Sequence, residues 1–187
     1  MKVLCFGDSN TYGYDPRGYL ADRYDEQSRW PELVAARTGW EVVNGGLCGR
    51  EIPRTNQWLP SLSEYDCVLL MLGTNDLLQG DSAKKAAKKM ESCLQWMLPD
   101  SKHIILIAPP PLERGVWVPD DVLKAESFAL AEEYKLLTQA LQIPFIDTRF
   151  WNIPLAYDGV HFTEEGHRQF ADQINQKLTD IGEKTHE

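Results

Sequence analysis

Three short polar clusters in this chain carry the residue types of nucleophilic acyl chemistry. Gly7-Asp8-Ser9-Asn10-Thr11 follows directly on an apolar run, Gly73-Thr74-Asn75-Asp76 follows a second, and Asp158-Gly159-Val160-His161 lies near the C-terminus. A serine hydroxyl is almost wholly protonated at neutral pH and needs a base before it can attack a carbonyl. His161 is the candidate base. Asp158, three residues earlier, is spaced to hold the other ring nitrogen and favour the imidazolium. Asn75 adds a neutral amide donor, and a fixed N–H donor facing a developing oxyanion is worth ~10²–10³ in rate. Gly45-Gly46-Leu47-Cys48-Gly49 offers a further backbone N–H.

Each cluster also has a plainer reading. Ser9 fits a turn residue bonded to its own backbone, and Asp158-Gly159 is a common turn signal. Asn75-Asp76 fits an Asx-turn or a cap for the helix beginning near Ser82, and a structural task is expected of Asp76. His103 precedes a strand, His167 falls in a helical pattern and His186 sits at the C-terminal end. His161 alone combines a loop, an upstream carboxylate and a helix starting just after it. Two rival functions stay open at this level. Asp8, Asp76 and Asp158 all lie near strand ends and would suit Mg²⁺ in a metal-dependent hydrolase or phosphatase. A non-catalytic ester- or carbohydrate-binding module is the other.

The elements that must position these clusters alternate in type. Apolar runs read as strands at Val3–Phe6, Glu41–Asn44, Asp66–Leu72, His103–Ala108 and Pro144–Asp147. Cys67–Leu72 and Ile104–Ile107 are apolar on both faces, as central strands of a doubly covered parallel sheet are. Helices fall between them: Pro31 opens one that Gly39 closes, and Ser82 caps one running to Met97. Another spans Asp121 to Leu141, and a last one starts at Thr163 with Glu164 and Glu165 in its first turn. This predicts an α/β sandwich on a five-stranded parallel sheet, one domain over residues 1–187. Ligands of such sheets bind beyond the carboxyl ends of the strands, where the polar loops gather.

Composition narrows the partners. The 187 residues are 43% hydrophobic and 25% charged, with a net charge of −9. That balance argues against nucleic acid and against anionic lipid surfaces. No apolar run nears the ~20 residues needed to span a bilayer, and Met1-Lys2 leads straight into a strand, so a cytoplasmic location is expected. Cys5, Cys67 and Cys93 sit in apolar strand or helix patterns and read as reduced, buried thiols, while Cys48 lies in a Gly-rich loop.

Taken in order, Gly7-Asp8-Ser9, Gly49, Gly73-Thr74-Asn75-Asp76 and Asp158-Gly159-Val160-His161 resemble the four blocks of the SGNH (GDSL-type) hydrolase superfamily. The resemblance runs from residue 3 to about 170. It implies a three-layer α/β/α sandwich of flavodoxin-like type and a serine esterase acting through an acyl-enzyme without a cofactor. It implies Ser9, Asp158 and His161 as the triad, with the N–H groups of Ser9 and Gly49 and the Asn75 amide as the oxyanion hole. Gly46 competes with Gly49 for the second donor, and the spacing from Leu47 and Arg50 favours Gly49. Leu4–Ser9, Gly46–Arg50, Met71–Asp76, Pro109–Leu112 and His161–Glu164 look most like the bacterial arylesterase/acetylesterase branch. Asn10 stands where the motif's eponymous leucine would be, a change expected to be harmless. Arg50–Asp66 looks short for that branch, so a homo-oligomer is left open.

Substrate signals are sparser. Tyr12 and Trp117 are expected to wall the cleft, with Tyr14, Tyr19 and Trp58 as other loop aromatics able to line it. No long apolar lid segment is present, which favours a small ester with a short acyl group. Arg50 either faces an anionic or carbonyl group or, as the favoured reading, pairs with a surface carboxylate. Lys84, Lys85, Lys88 and Lys89 read as a solvated helix face.

Overall fold

The computed structural model describes residues 1–18, 23–56 and 59–184, the side chains of 180–184 excepted. Tyr19, Trp58 and His186 lie outside the described residues. Five strands, β1 (Lys2–Gly7), β2 (Glu41–Gly46), β3 (Cys67–Met71), β4 (Ile104–Ile107) and β5 (Phe145–Ile146), form one parallel sheet in the order β2-β1-β3-β4-β5. Among the described residues six α-helices accompany them: α1 (Ser9–Tyr12), α2 (Trp30–Thr38), α3 (Thr74–Leu78), α4 (Ala83–Met97), α5 (Asp121–Leu141) and α6 (Glu164–Lys184).

The two-residue period of the strands sorts their side chains between two cores. Leu4, Phe6, Val68, Leu70 and Leu106 face α4 and α5, meeting Met90, Leu94, Leu130 and Tyr134. Val3, Cys5, Leu69, Met71 and Ile107 face α2 and α6, meeting Trp30, Val34, Phe170 and Ile174. Each such fully buried aliphatic or aromatic side chain contributes roughly 1.5–3 kcal/mol, so burial on both faces is what holds the layers together. Every strand residue of β3 and β4 is buried, which is why these two runs are apolar throughout.

The long helices begin and end where local chemistry directs. Ser82 Oγ accepts the Lys85 N–H (3.3 Å), and the Asp120 carboxylate accepts those of Val122 and Leu123 (3.1 Å each). Thr163 Oγ1 accepts the Gly166 N–H (3.0 Å) at the start of α6. Gly39 ends α2 at φ 70°. Two differences from expectation bear on the site. Strand β2 runs two residues further, to Gly46, because Gly45 and Gly46 continue the ladder against Phe6 and Gly7. Helices α1 and α3, of four and five residues, occupy the first two polar clusters and are too short to show a helical period.

The chain leaves β1 toward β2 on one side and later toward β3 and β4 on the other. That reversal opens a crevice above the carboxyl ends of β1 and β3, where the loops carrying Ser9 and Asn75 emerge. Among the described residues no helix is long and apolar enough to cross a membrane.

Candidate active site

Ser9 stands at the first position of α1, directly beyond β1. Asp8 caps the helix, its Oδ1 accepting the Asn10 N–H (3.0 Å). Gly7 is needed less for the turn than for close packing: a Cβ there would lie 2.1 Å from Thr11 Oγ1 and 2.8 Å from the Met71 carbonyl.

Folding brings Ser9 to His161 across 152 residues of sequence, with Oγ 3.0 Å from Nε2. On the other side of the ring, Nδ1 lies 2.7 Å from Asp158 Oδ2. Asp158 Oδ1 accepts the N–H groups of Val160 and His161 (2.9 Å each), so both carboxylate oxygens are used. Burial opposes ionisation of Asp158, but these hydrogen bonds outweigh it and hold the carboxyl below its usual pKa. An ionised Asp158 can only accept, so it assigns the ring proton to Nδ1 and leaves the Nε2 lone pair facing the Ser9 hydroxyl. All three residues are buried. The arrangement can move a proton from serine to imidazole and stabilise the imidazolium that results.

Asn10, the residue in place of the motif's leucine, does more than expected. Its Nδ2 donates to the Val160 carbonyl (3.0 Å) and its Oδ1 accepts the Phe162 N–H (2.8 Å). One buried side chain thus clasps the backbone on both sides of His161 and ties it to the helix bearing Ser9. An isolated Asn between Ser and Thr carries no signal for this, because its partners lie 150 and 152 residues away.

Three elements carry the N–H groups expected of an oxyanion hole. Among the described residues no hydrogen bond uses the N–H of Ser9 or of Gly49. The Gly46 N–H is taken by Asn44 Oδ1 (3.0 Å), and a Cβ at Gly46 would lie 2.0 Å from the Tyr12 nitrogen. Gly46 is a packing glycine, which leaves Gly49 as the free donor of the pair. The loop carrying Gly49 is seated by the Leu47 N–H on the Gly7 carbonyl (3.1 Å). The Asn75 amide donates one hydrogen to the Arg50 carbonyl (3.1 Å) and has its second to spare.

The surroundings of Arg50 and Lys89 differ from expectation, and the loop aromatics divide between two neighbours. Among the described residues Arg50 pairs with no carboxylate; it donates to the carbonyls of Gly7 (2.8 Å) and Gly45 and lies 4.2 Å over the Phe6 ring, pinning the ends of β1 and β2. The Tyr12 ring packs under Arg23 at 4.3 Å. It is Tyr14, brought back by its N–H on the Ser9 carbonyl (3.0 Å), that sits 4.6 Å from the His161 ring. Trp117 stands edge-on to the same imidazole at 5.4 Å and is 51% exposed, held by its N–H on the Asp158 carbonyl (3.0 Å). Lys84, Lys85 and Lys88 face solvent as read, but Lys89 does not: it is folded inward on Asp76 and Asp81.

The three strand-end aspartates do not gather. Asp8 is spent on the α1 cap, Asp76 on Lys89 and the Ile52 N–H, and Asp158 on His161. Among the described residues no group of three or more His, Cys, Asp or Glu side chains is disposed to hold a metal ion. His167 is buried in α6, its Nδ1 accepting the Trp30 N–H (3.4 Å) away from the cleft. The four cysteines are unpaired, with Cys48 alone exposed.

Comparison with known proteins identifies the family and the fold. The profile of the GDSL-like lipase/acylhydrolase family matches residues 5–169. Among solved structures, an aryl esterase from M. smegmatis is 25% identical with a TM-score of 0.80, over 96% of this chain and 98% of its own. A carbohydrate acetylesterase from Sinorhizobium meliloti shares the fold at 24% identity and a TM-score of 0.79, over 96% of this chain and 99% of its own. No curated protein is significantly similar in sequence.

Proposed function

The chain belongs to the GDSL-like lipase/acylhydrolase family and is a carboxylic ester hydrolase; from that premise we propose that it cleaves small esters through an acyl-enzyme on Ser9. The observation that carries this reading is the unbroken hydrogen-bonded line from Asp158 through His161 to Ser9.

Ser9 Oγ attacks the ester carbonyl as His161 Nε2 takes its proton, and Asp158 stabilises the imidazolium. Negative charge on the carbonyl oxygen rests on the N–H groups of Ser9 and Gly49 and on the Asn75 amide. Collapse expels the alcohol, which receives the proton from His161. Water, deprotonated by the same nitrogen, then attacks the acyl-enzyme. The acid leaves and Ser9 regains its hydrogen. Ester and water become acid and alcohol, with no cofactor in any step.

Tyr14 and the half-exposed Trp117 flank the imidazole at the cleft mouth. This supports a flat or apolar leaving group, in keeping with the M. smegmatis aryl esterase. The lack of a long apolar lid in the sequence supports a short acyl chain.

The test is the initial rate on p-nitrophenyl esters from acetyl to long-chain acyl, for wild type and Ser9→Ala. Activity should peak at acetyl and collapse in the variant. A Ser9→Ala enzyme that keeps its rate would overturn the mechanism, and a peak at long chains would overturn the substrate reading.

A further inference from the structure

Helix α4 carries four lysines, and one of them departs from the rest. Lys85 and Lys88 reach outward, to Asp81 Oδ1 and to Glu91 Oε2. Lys89 turns under the loops at the carboxyl edge of the sheet. Its Nζ lies 2.6 Å from Asp76 Oδ1, 2.5 Å from Asp81 Oδ2 and 3.5 Å from Glu51 Oε2. A single cation is shared by three carboxylates, of which Asp76 is wholly buried.

The chain neighbours of these carboxylates make the cluster informative. Asp76 follows Asn75, and Glu51 follows Arg50, which follows Gly49. Two bonds join the loop after β2 to the turn after β3. Asn75 Nδ2 donates to the Arg50 carbonyl (3.1 Å), and the Ile52 N–H donates to Asp76 Oδ2 (2.9 Å). The second is charge-assisted, and such bonds are roughly twice as strong as neutral ones. It depends on a carboxylate that burial alone would drive toward its protonated form; burial is the largest cause raising the Asp76 pKa, and Lys89 opposes it. Burial likewise works against the Lys89 ammonium, but its bonds to Asp76 and Asp81 prevail and keep it charged. Without the cation, Asp76 is a buried charge with no counter-ion, and it must take up a proton or move.

We propose that Lys89 is a positioning residue for the oxyanion hole: by clamping Asp76 and Glu51 it sets the spacing between the Gly49 N–H and the Asn75 amide. The inference rests on the reading of those two groups as oxyanion donors. Lys89 itself touches neither substrate nor Ser9. Its effect belongs to the transition state, because the bound ester carries no oxyanion, and so to kcat more than to KM.

The experiment is a double-mutant cycle on p-nitrophenyl acetate with Lys89→Met, Asn75→Ala and both together, alongside Lys89→Arg and Ser9→Ala. Lys89→Met should lower kcat about tenfold with KM changed by less than about twofold, against ~10²-fold or more for Asn75→Ala. In the Asn75→Ala background it should cost less than about twofold, because the group it positions is gone. Lys89→Arg, which keeps the charge, should restore most of the rate. Retention of kcat in Lys89→Met overturns the proposal, as does an equal loss with and without Asn75. If Lys89→Met fails to fold, Asp76→Asn/Lys89→Met replaces it in the cycle, since it deletes both charges and keeps an oxygen for the Ile52 N–H. A wild-type kcat there is equally fatal. Ser9→Ala and Asn75→Ala separate the failures. Survival of either rate removes the esterase or oxyanion reading itself, whereas collapse of both with an indifferent Lys89 removes this inference alone.

Discussion

Replacing Asp8 by Asn should make the protein more stable, and only at neutral and higher pH. Asp8 is 1% exposed; its Oδ1 holds the Asn10 N–H, while Oδ2 has no hydrogen-bond partner among the described residues. Burial raises its pKa from 3.8 to about 6, against the opposing pull of the Asn10 N–H, His161, Arg50 and Thr74. A shift of about 2 units at 1.36 kcal/mol each amounts to about 3 kcal/mol. Between pH 4 and 6 the folded chain keeps a proton that the unfolded chain has released, so stability falls as pH rises through this window. The penalty is absent below about pH 4 and complete above about pH 6. Asn keeps the oxygen that caps α1 and removes the charge. The Asp8→Asn variant should therefore gain about 3 kcal/mol at pH 8, or roughly 6–12 °C in Tm for a chain of this size, and almost nothing at pH 4. Urea unfolding followed by circular dichroism at both pH values measures this directly. An equal difference at the two pH values, or a less stable variant at pH 8, would refute the reasoning.

Asn10→Leu, which restores the motif's usual residue, removes both bonds flanking His161 and should lower kcat at least about tenfold, since small misplacements of a reacting group are costly; leaving the Val160 carbonyl and Phe162 N–H unpaired should also cost about 1–3 kcal/mol per group in urea unfolding. Wild-type kinetics would show that packing alone seats the imidazole. For His167, burial lowers the pKa to about 3, from 6.5. The unfolded chain then binds the extra proton between these values, so stability is lost as pH falls through that window, about 3 kcal/mol by pH 4. His167→Gln should flatten that acid limb, and an unchanged slope in pH-dependent urea titrations would show another group to be responsible.

Much of the fold was legible locally. Helix α5 spans Asp121–Leu141 as the sequence predicts, and β3 and β4 are buried throughout because their runs are apolar on both faces. Strand alternation with helices led to the five-stranded parallel sheet. What escaped was short or ambiguous within its own window. Helices α1 and α3 are too brief for periodicity, and Tyr12 and Tyr14 are equivalent aromatics until the reversal at Gly13 (φ 88°) sends one to Arg23 and the other to His161.

The chemistry of individual side chains is written in the sequence: a serine after a strand, an amide after another, a carboxylate three residues before an imidazole. These depend on residue type and near spacing, which the chain carries before it folds. Their partners do not. Ser9 meets His161 across 152 residues, Asn10 clasps the backbone beside that histidine, and Lys89 turns inward to Asp76 while Lys85 and Lys88 stay at the surface. Only the packed sheet decides which polar groups lose their water together, and a buried donor or charge must then be satisfied by whatever the fold has brought beside it.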